Sequence, residues 1–331
     1  MSFKICVVGC GGIAQLAHGY AYRKYADLHD SVALAACCDL DEKRADSFKS
    51  EYGFLRAYTD FKQMLDIERP DAVCLNSPTH LTATLSVAIL EKGYPLLLEK
   101  PPGVNKEELQ MIIDAAEKSK ALNMVAFNRR FVPLVEALAE KIVESRASCG
   151  LQNINCEFFR VGRTDDDFTT TSIHGIDAVR HLAGENYKRV DFFYQTLPQY
   201  GEHVHNMIMQ CEFTSGASAT LRFLPMSGVV IERYTVNTGD KTLMLNLPWI
   251  ESVDIPGSLI EYTKGEKTSE ISGADLSGPD FYLANGFYRE NEVFFDTLQS
   301  GGKLNCDLYS AIQAVEIADY AKMKRKTWLA D

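Results

Sequence analysis

Three small residues near the amino terminus have the types and spacing of a phosphate-binding turn. Gly9, Gly11 and Ala14 form the pattern Gly-x-Gly-x-x-Ala directly after an apolar run over residues 5–8. In that context the first glycine allows a tight turn, the second lets the backbone approach a pyrophosphate, and the alanine lets helix and strand pack closely. Helix N-terminal amides would then face the phosphates. The pattern predicts a dinucleotide site formed by Gly9, Gly11, Gly12, Ile13 and Ala14.

An acidic residue follows the second apolar run, where the adenosine ribose of a dinucleotide is expected. The Asp39 carboxylate can accept hydrogen bonds from the ribose hydroxyls and would repel a 2′-phosphate. Lys43 and Arg44 come a turn later, and no arginine adjoins Asp39 in the sequence. NAD(H) is therefore favoured over NADP(H). The competing interpretation is that Asp39 caps the next helix, because Asp41 and Glu42 follow it.

The first third of the chain alternates apolar runs with segments of helical periodicity. The runs are typical of strands buried on both faces of a parallel sheet, and they span residues 5–8, 32–37, 72–75, 96–98 and 124–127. Before the last run, Asn105 followed by Glu108 resembles the capping box of a helix. This alternation predicts an α/β fold that begins with a doubly wound Rossmann domain over residues 1–123.

After residue 123 the pattern changes to longer segments with alternating polarity. They predict strands over residues 153–160, 190–195, 206–213, 217–224, 232–237 and 241–247. Helical periodicity appears over residues 174–182, 289–298 and 308–322. We therefore expect a second, α+β domain over residues 124–331, with one large, mostly antiparallel open sheet for substrate binding and oligomerisation. Its closing helices are candidates to pack back on the first domain.

Composition and charge narrow the class of protein. The net charge of -11 argues against a nucleic-acid partner and against an anionic membrane surface. No apolar run approaches the ~20 residues of a membrane span, and the amino terminus leads straight into a strand rather than a signal peptide. The nine cysteines are scattered without a Cys-x-x-Cys pair, which favours reduced thiols. A cytoplasmic enzyme is expected.

Two further sets of polar residues could do chemistry. Arg160 and Arg163 end a predicted strand and could grip a carboxylate or sugar hydroxyls, although surface exposure is the default for arginine. His203 and His205 form a His-x-His pair, but no third ligand accompanies them, so alternation in a strand explains them better than a metal. No metal site is predicted.

Four more motifs give the chain a resemblance to a known family. They are Asn76-Ser77-Pro78-Thr79-His80, Glu99-Lys100-Pro101, Asn128-Arg129-Arg130-Phe131 and His174-Gly175-Ile176-Asp177. In this order, and with the glycine turn, the chain resembles the Gfo/Idh/MocA oxidoreductases, which include glucose–fructose oxidoreductase and inositol dehydrogenase. The resemblance covers essentially the whole length. It implies an NAD(H)-dependent dehydrogenase acting on a hydroxyl or carbonyl carbon of a sugar, polyol or sugar derivative, and a homodimer or homotetramer formed through the second-domain sheet.

The family also implies cofactor contacts beyond the glycine turn. Ser77, Pro78 and His80 would lie along the nicotinamide side of the cofactor. Glu99 would lie near the nicotinamide ribose, with Lys100 beside it.

Catalysis is implied for Lys100 and His174. An ammonium group at Lys100, pointed toward the reacting oxygen, would stabilise the alkoxide that develops as hydride leaves the carbinol carbon. His174 would serve as acid/base or substrate anchor, and Asp177 lies on the same helical face. Further candidates to contact the substrate are Asn128, at the junction of the two domains, Thr170 and Asp177.

One position departs from the family. Dehydrogenases of sugars and polyols usually carry an aspartate four residues before the histidine, where this chain has Thr170. A threonine cannot take up a proton as a carboxylate does, and the nearby acids 165–167 are typical of a solvated loop. Either His174 acts with Lys100 alone, or the substrate differs, for example an acyclic or aromatic diol or an imine-type acceptor. The alternative function is a non-catalytic dinucleotide-binding regulator or sensor.

Overall fold

The computed structural model describes residues 2–146 and 150–330, and its first six strands form one parallel sheet. They are β1 (Phe3–Val8), β2 (Val32–Cys38), β3 (Arg56–Tyr58), β4 (Ala72–Leu75), β5 (Leu96–Glu99) and β6 (Asn123–Ala126). The strand order is β3-β2-β1-β4-β5-β6. This order reverses direction between β1 and β4, and that reversal is the switch point at which doubly wound sheets bind dinucleotides.

Helices alternate with these strands. They are α1 (Gly19–Leu28), α2 (Glu42–Tyr52), α3 (Phe61–Glu68), α4 (Thr79–Leu90) and α5 (Lys106–Ser119), and a π-helical turn, Ala14–His18, leads into α1. The Asn105 side chain caps α5 by accepting from the Glu108 N–H at 2.9 Å. Glu108 reaches back to the N–H of Val104 at 3.0 Å instead of that of Asn105. The predicted cap is therefore present, with its reciprocal bond shifted by one residue.

The rest of the chain forms a second sheet with its own helices. Its elements are α6 (Pro133–Arg146), β7 (Leu151–Phe159), α7 (Thr169–Ala183), β8 (Tyr187–Thr196), β9 (His205–Phe213), β10 (Ser218–Leu224), β11 (Ile231–Thr238), β12 (Lys241–Asn246), β13 (Ser258–Thr263), β14 (Glu266–Ser272), α8 (Gly273–Ser277) and α9 (Phe281–Ala284), followed by α10 (Phe287–Ser300), α11 (Ile312–Lys322) and β15 (Thr327–Leu329). Short 3₁₀ turns lie at Asn128–Phe131, Pro198–Tyr200 and Tyr309–Ala311.

This second sheet has nine strands in the order β14-β13-β12-β11-β7-β10-β9-β8-β15. Every neighbouring pair is antiparallel except β7 and β10, which run parallel. Helix α7 packs closely on β7 and β10. At Gly175 of this helix, a Cβ would lie only 2.8 Å from the Phe223 ring. The predicted fold class, a Rossmann domain plus a large and mostly antiparallel sheet, is confirmed.

Four short or polar strands were not predicted. β3 has only three residues, none of them buried, so no apolar run marks it. β13 and β14 are rich in polar side chains, and β15 pairs over three residues at the sheet edge. β3, β14 and β15 lie at sheet edges, and edge strands lack the two-sided burial that gives a strand its apolar run. β13 lies inside its sheet, but only two of its six residues are buried.

The chain divides into two compact units. The first consists of Met1–Asn128 and Gly286–Val315, and the second of Arg129–Asn285 and Glu316–Asp331. This division keeps β6 whole, whereas a boundary between residues 123 and 124 would cut it. In the first unit α10 packs on α1, where Tyr25 donates to Asp296 at 2.6 Å.

The cysteines that the structure describes lie in the protein interior. The eight cysteines among the described residues are all buried and carry no disulfide; Cys149 lies outside the described residues. Within residues 2–146 and 150–330, none of the helices combines the length and the apolar character that crossing a bilayer demands.

Candidate active site

The carboxyl ends of four parallel strands bring the predicted cofactor residues to one edge of the first sheet. The glycine turn follows β1, Asp39 follows β2, Ser77 follows β4, and Glu99 ends β5. Since parallel strands end at the same edge, residues far apart in sequence become neighbours there.

The glycine turn is shaped for close approach. Gly9 adopts φ +93°, a left-handed conformation that favours glycine, and a Cβ there would lie 2.3 Å from the Asn76 carbonyl oxygen. At Gly11 and Gly12 no described atom lies within 4 Å of a Cβ position. Ala14 is fully buried where the helix begins. The turn therefore combines one glycine required by the fold with two that leave open space beside helix N-terminal amides, which fits a pyrophosphate.

Asp39 is held in place by the same turn. One carboxylate oxygen accepts from the Cys10 N–H at 2.9 Å and the other from the Asp41 N–H at 3.0 Å. The cap of α2 is Asp41, which accepts from the N–H groups of Lys43 and Arg44. The capping interpretation of Asp39 is therefore wrong. The carboxylate lies beside the glycine turn, as a ribose-binding acid does.

The structure adds one neighbour that the sequence spacing did not indicate. The Arg44 guanidinium folds back along the first turn of α2 to 3.3 Å from Asp39. Its side chain is 45% exposed, whereas that of Asp39 is 9% exposed. The expectation that no arginine accompanies Asp39 is therefore corrected, and this pair bears directly on the choice between the two dinucleotides.

The motif after β4 turns directly into α4. Pro78 is the N-cap residue of α4, and the Ser77 hydroxyl lies 3.1 Å from the Thr82 hydroxyl. Pro78 and His80 are exposed and Ser77 is half-buried. Asn76 is buried and donates to the Tyr22 hydroxyl at 3.2 Å. Its carbonyl is the one that excludes a side chain at Gly9.

Glu99 is buried at the end of β5, beside Lys100. One of its oxygens lies 2.8 Å from Nε2 of His18, and the other accepts from the Lys100 backbone N–H at 3.1 Å. Burial by itself would raise the pKa of Glu99, but the His18 hydrogen bond and the Lys100 charge leave it below its usual value. The Lys100–Pro101 peptide is cis. Glu99 is therefore a buried carboxylate in its charged form, and Lys100 itself is half-buried.

His174 lies in the second unit, in the part of α7 that packs on the sheet. It is 6% exposed, and its Nε2 lies 3.5 Å from an Arg129 nitrogen. Because a guanidinium nitrogen can only donate, His174 Nε2 is the acceptor in this contact. The ring is thereby placed in the tautomer that carries its proton on Nδ1.

Arg129 belongs to a buried cluster around Glu232. Arg129 donates to both Glu232 oxygens, at 3.0 and 2.7 Å, and Arg160 donates to one of them. The Arg129 guanidinium also lies 3.9 Å from the centre of the Trp249 ring, a cation–π contact. Burial would raise the pKa of Glu232, but the two arginine charges hold it below its usual value. The cluster contains two guanidiniums and one carboxylate beside the histidine.

Three predicted substrate residues are engaged with protein partners. Asp177 is fully buried and binds the Arg130 guanidinium through both oxygens. Arg163 pairs with Asp165 through its Nη2 at 3.0 Å. Arg160 is buried and donates to Glu232 and to the Phe159 carbonyl, the latter at 3.0 Å.

The two remaining substrate candidates also have defined positions. The Thr170 hydroxyl donates to the Asp167 carbonyl at 3.0 Å, at the start of α7. Asn128 is buried and is the last residue before the chain passes into the second unit. Among residues 2–146 and 150–330, no three His, Cys, Asp or Glu residues converge as a metal site would require.

Sequence reasoning missed the residues that support the candidates. Glu232 and Trp249 stand in segments without a motif, and Asn291, which contacts His18, lies 273 positions along the chain from it. Arg129 belongs to the motif Asn128-Arg129-Arg130-Phe131, for which the resemblance implies no role at this arginine. The one signal available was the pair of consecutive arginines, 129 and 130, in an acidic chain.

The first part of the chain matches the model of a known protein family. Residues 3–127 match the model of the oxidoreductase family with the NAD-binding Rossmann fold. Inositol 2-dehydrogenase of Salmonella typhimurium is 23% identical over 91% of this chain and 87% of its own length. D-Glucoside 3-dehydrogenase of Escherichia coli is 27% identical, but the match covers 42% of this chain and 38% of that enzyme.

Solved structures share the fold. Levoglucosan dehydrogenase in complex with NADH superposes with a TM-score of 0.83 at 19% identity, over the full length of both chains. The Rossmann part of the chain, residues 3–127, thus matches the Gfo/Idh/MocA family of oxidoreductases, and the solved structures show that the whole chain shares the fold.

Proposed function

We propose that this protein is an NAD(H)-dependent dehydrogenase that acts on a hydroxyl or carbonyl carbon of a sugar, polyol or sugar derivative. The observation that carries the proposal is the edge of the Rossmann sheet, where an open glycine turn, Asp39 and the Glu99-Lys100 pair follow neighbouring strands. The names of the relatives, inositol and glucoside dehydrogenases, support a polyhydroxylated substrate.

Within the first unit, we assign a role to each candidate cofactor-binding or catalytic residue. When bound, nicotinamide supplies the hydride acceptor or donor. The turn from Gly9 to Ala14 would hold the pyrophosphate and Asp39 the adenosine ribose, with Ser77, Pro78 and His80 toward the nicotinamide side. Lys100 would stabilise the alkoxide through its ammonium group, and its backbone N–H donates to the buried Glu99 carboxylate next to it.

In the second unit, we propose that His174 handles the proton. Its Nε2 accepts from Arg129 over 3.5 Å, a weak hydrogen bond that a substrate hydroxyl can replace. Once Nε2 is released, it is the basic nitrogen of a neutral imidazole and can take a hydroxyl proton. The neighbouring guanidinium disfavours a second positive charge, which promotes return of the proton. This arrangement needs no carboxylate at Thr170.

Our proposal for the cofactor is NAD(H) in preference to NADP(H). Asp39 is fixed by two backbone N–H groups, so its charge would directly oppose a 2′-phosphate. Arg44 partly offsets this charge and is exposed enough to move. We therefore expect a preference for NAD(H) that depends on both residues rather than an absolute exclusion of NADP(H).

For the assembly, we propose a homo-oligomer formed through the open face of the nine-stranded sheet. Phe193 on β8 and Ile208 on β9 are cross-strand neighbours on that face, 57% and 37% exposed. Adjacent exposed apolar side chains of this kind favour burial against a second copy. Light scattering with size-exclusion chromatography would measure the mass, and Phe193→Glu should shift it toward a monomer.

The activity is tested by screening polyols, sugars and sugar acids with NAD⁺ for NADH formation. Lys100→Ala should lower kcat by about 10²–10⁴-fold, the usual contribution of a positioned acid/base group. Lys118→Ala, on the exposed face of α5, is the matched control and should retain wild-type turnover.

Cofactor affinity is measured separately by titration of NADH fluorescence. Affinity for NADH without turnover on any substrate would contradict the dehydrogenase and support the sensor function. Equal turnover by the Lys100 and Lys118 variants would contradict the role of Lys100.

A further inference from the structure

A buried hydrogen-bonded chain lies directly behind Lys100, within the first unit. His18 ends the π-helical turn that leads into α1 and is 1% exposed. Its two ring nitrogens face two different elements: Nε2 lies 2.8 Å from a Glu99 oxygen on β5, and Nδ1 lies 3.1 Å from the Asn291 amide nitrogen on α10. The second Glu99 oxygen accepts from the Lys100 backbone N–H at 3.1 Å.

The amide of Asn291 has only one orientation that satisfies its neighbours. Its Nδ2 also lies 2.7 Å from the Phe287 carbonyl oxygen, which can only accept. The nitrogen must therefore face Phe287, and its second hydrogen points at Nδ1 of His18. Rotating the amide by 180° would place its oxygen against the Phe287 carbonyl oxygen and break that bond. The Asn291 carbonyl oxygen, buried with no hydrogen-bond partner among the described residues, is the cost of this arrangement.

This orientation determines where the His18 proton lies. Since Asn291 donates to Nδ1, Nδ1 must accept, and the ring proton resides on Nε2 and is donated to Glu99. The ring is also packed from two sides, stacked on Tyr22 with centroids 5.8 Å apart and edge-on to Phe287 at 5.2 Å. Neither its tautomer nor its orientation is left open.

We propose that His18 is a positioning residue for Lys100. Held by Asn291, it fixes the Glu99 carboxylate, which in turn fixes the backbone at Lys100 and so the direction in which the ammonium points. This inference rests on the proposed function of Lys100. His18 is the last residue of a π-helical turn, a conformation that is uncommon and frequently found at functional sites.

The test compares two substitutions at His18. His18→Leu removes the donor and keeps an apolar side chain of similar size, whereas His18→Gln keeps an N–H donor close to the position of Nε2. The matched control is His29→Gln, at the other end of α1, about 16 Å further along the helix. Circular dichroism and NADH titration verify that each variant is folded and binds cofactor.

Two readouts separate positioning from mere packing. First, hydrogen exchange of the Lys100 amide should accelerate about tenfold in His18→Leu and stay at the wild-type rate in His18→Gln and His29→Gln. Second, kcat should fall about 10- to 100-fold in His18→Leu, with KM for the cofactor unchanged, and recover in His18→Gln. ¹⁵N NMR of the histidine rings should show His18 as the neutral Nε2–H tautomer.

The exchange and NMR measurements do not require turnover, so this inference and the proposed function can fail separately. A wild-type protein that turns over no substrate but shows the expected exchange pattern would overturn the dehydrogenase and leave the positioning role standing. Unchanged exchange in His18→Leu, an equal loss of kcat in the Leu and Gln variants, or a proton on Nδ1 of His18 would each overturn the inference.

Discussion

Replacing Glu232 with glutamine tests whether the buried cluster of the second unit depends on a charge. The wild-type carboxylate accepts three N–H groups, two from Arg129 and one from Arg160, and is fully buried. Glutamine keeps one acceptor oxygen, but in either orientation its N–H₂ group faces a nitrogen of Arg129, which donates to both carboxylate oxygens. Two buried cations then lose the carboxylate that they share. Breaking a buried ion pair in this way costs about 3–5 kcal/mol.

The magnitude can be read from thermal unfolding. For a unit of this size, 1 kcal/mol corresponds to about 2–4 °C in Tm, so Glu232→Gln should lower Tm by about 6–20 °C. Both tryptophans of the chain, Trp249 and Trp328, belong to the second unit, and Trp249 contacts Arg129. Intrinsic fluorescence therefore follows the unfolding of the unit that contains the cluster.

The matched control is Glu270→Gln, which removes a solvent-exposed ion pair with Lys267 at 2.7 Å. Exposed pairs contribute about 0–1 kcal/mol, so its Tm should change by no more than about 4 °C. If the Glu232 and Glu270 variants melted at the same temperature, the reasoning that the buried carboxylate neutralises the arginines would be refuted.

The same variant has a signature in its pH dependence. The pKa of folded Glu232 lies below its usual value, so the ionised group adds stability above the unfolded pKa of about 4.3. That contribution is lost as the pH falls through the lower, folded pKa. The Tm difference between wild type and Glu232→Gln should therefore be constant near neutrality and shrink under acidic conditions, which a series of melts at decreasing pH would measure.

The remaining predictions concern the first unit. Gly9→Ala should lower both Tm and NADH affinity, because its Cβ would lie 2.3 Å from a backbone carbonyl oxygen. Gly11→Ala should lower NADH affinity alone. Thermal melts and fluorescence titration of NADH distinguish the two variants. Asp39→Ser should raise the ratio of NADP⁺ to NAD⁺ in kcat/KM, and adding Arg44→Ala to it should lower that ratio again, as steady-state kinetics would show. Asn105→Ala removes the cap of α5 and should cost about 1 kcal/mol in urea unfolding.

The elements predicted best from the sequence are those whose own residues carry the pattern of burial or of a turn. Strand β4 was predicted with both ends correct, since all four of its residues are buried and polar residues flank them. The glycine turn and Asp39 were identified because each stands beside the end of an apolar strand. Strand β3 and the edge strands of the second sheet have few buried residues, so their sequences lack the apolar run that marks a strand. They form because neighbouring strands offer hydrogen bonds, which no single segment reveals.

The arginines illustrate the same limit at the site. Arg160 was interpreted as exposed or substrate-binding, because a strand-ending arginine in isolation has no visible partner. Its partner, Glu232, lies 72 positions away and meets it only because β11 pairs with β7. Asp177 was placed on the same helical face as His174, yet its carboxylate binds Arg130 from the turn before α6. Charge pairing across elements is decided by how the elements pair and pack, which periodicity does not encode.

A common principle connects the two candidate catalytic residues. Lys100 and His174 stand in recognisable motifs, and each is linked to a buried carboxylate. Glu99 accepts from the Lys100 backbone N–H, and Glu232 binds Arg129, which contacts His174. A buried carboxylate is stable only when several donors surround it, so it must collect partners from distant segments. The residues expected to contact the substrate can therefore be predicted from local sequence motifs. The buried residues that position them cannot. Mutations at the holding positions should reveal the difference, with lowered kcat and stability but intact cofactor affinity.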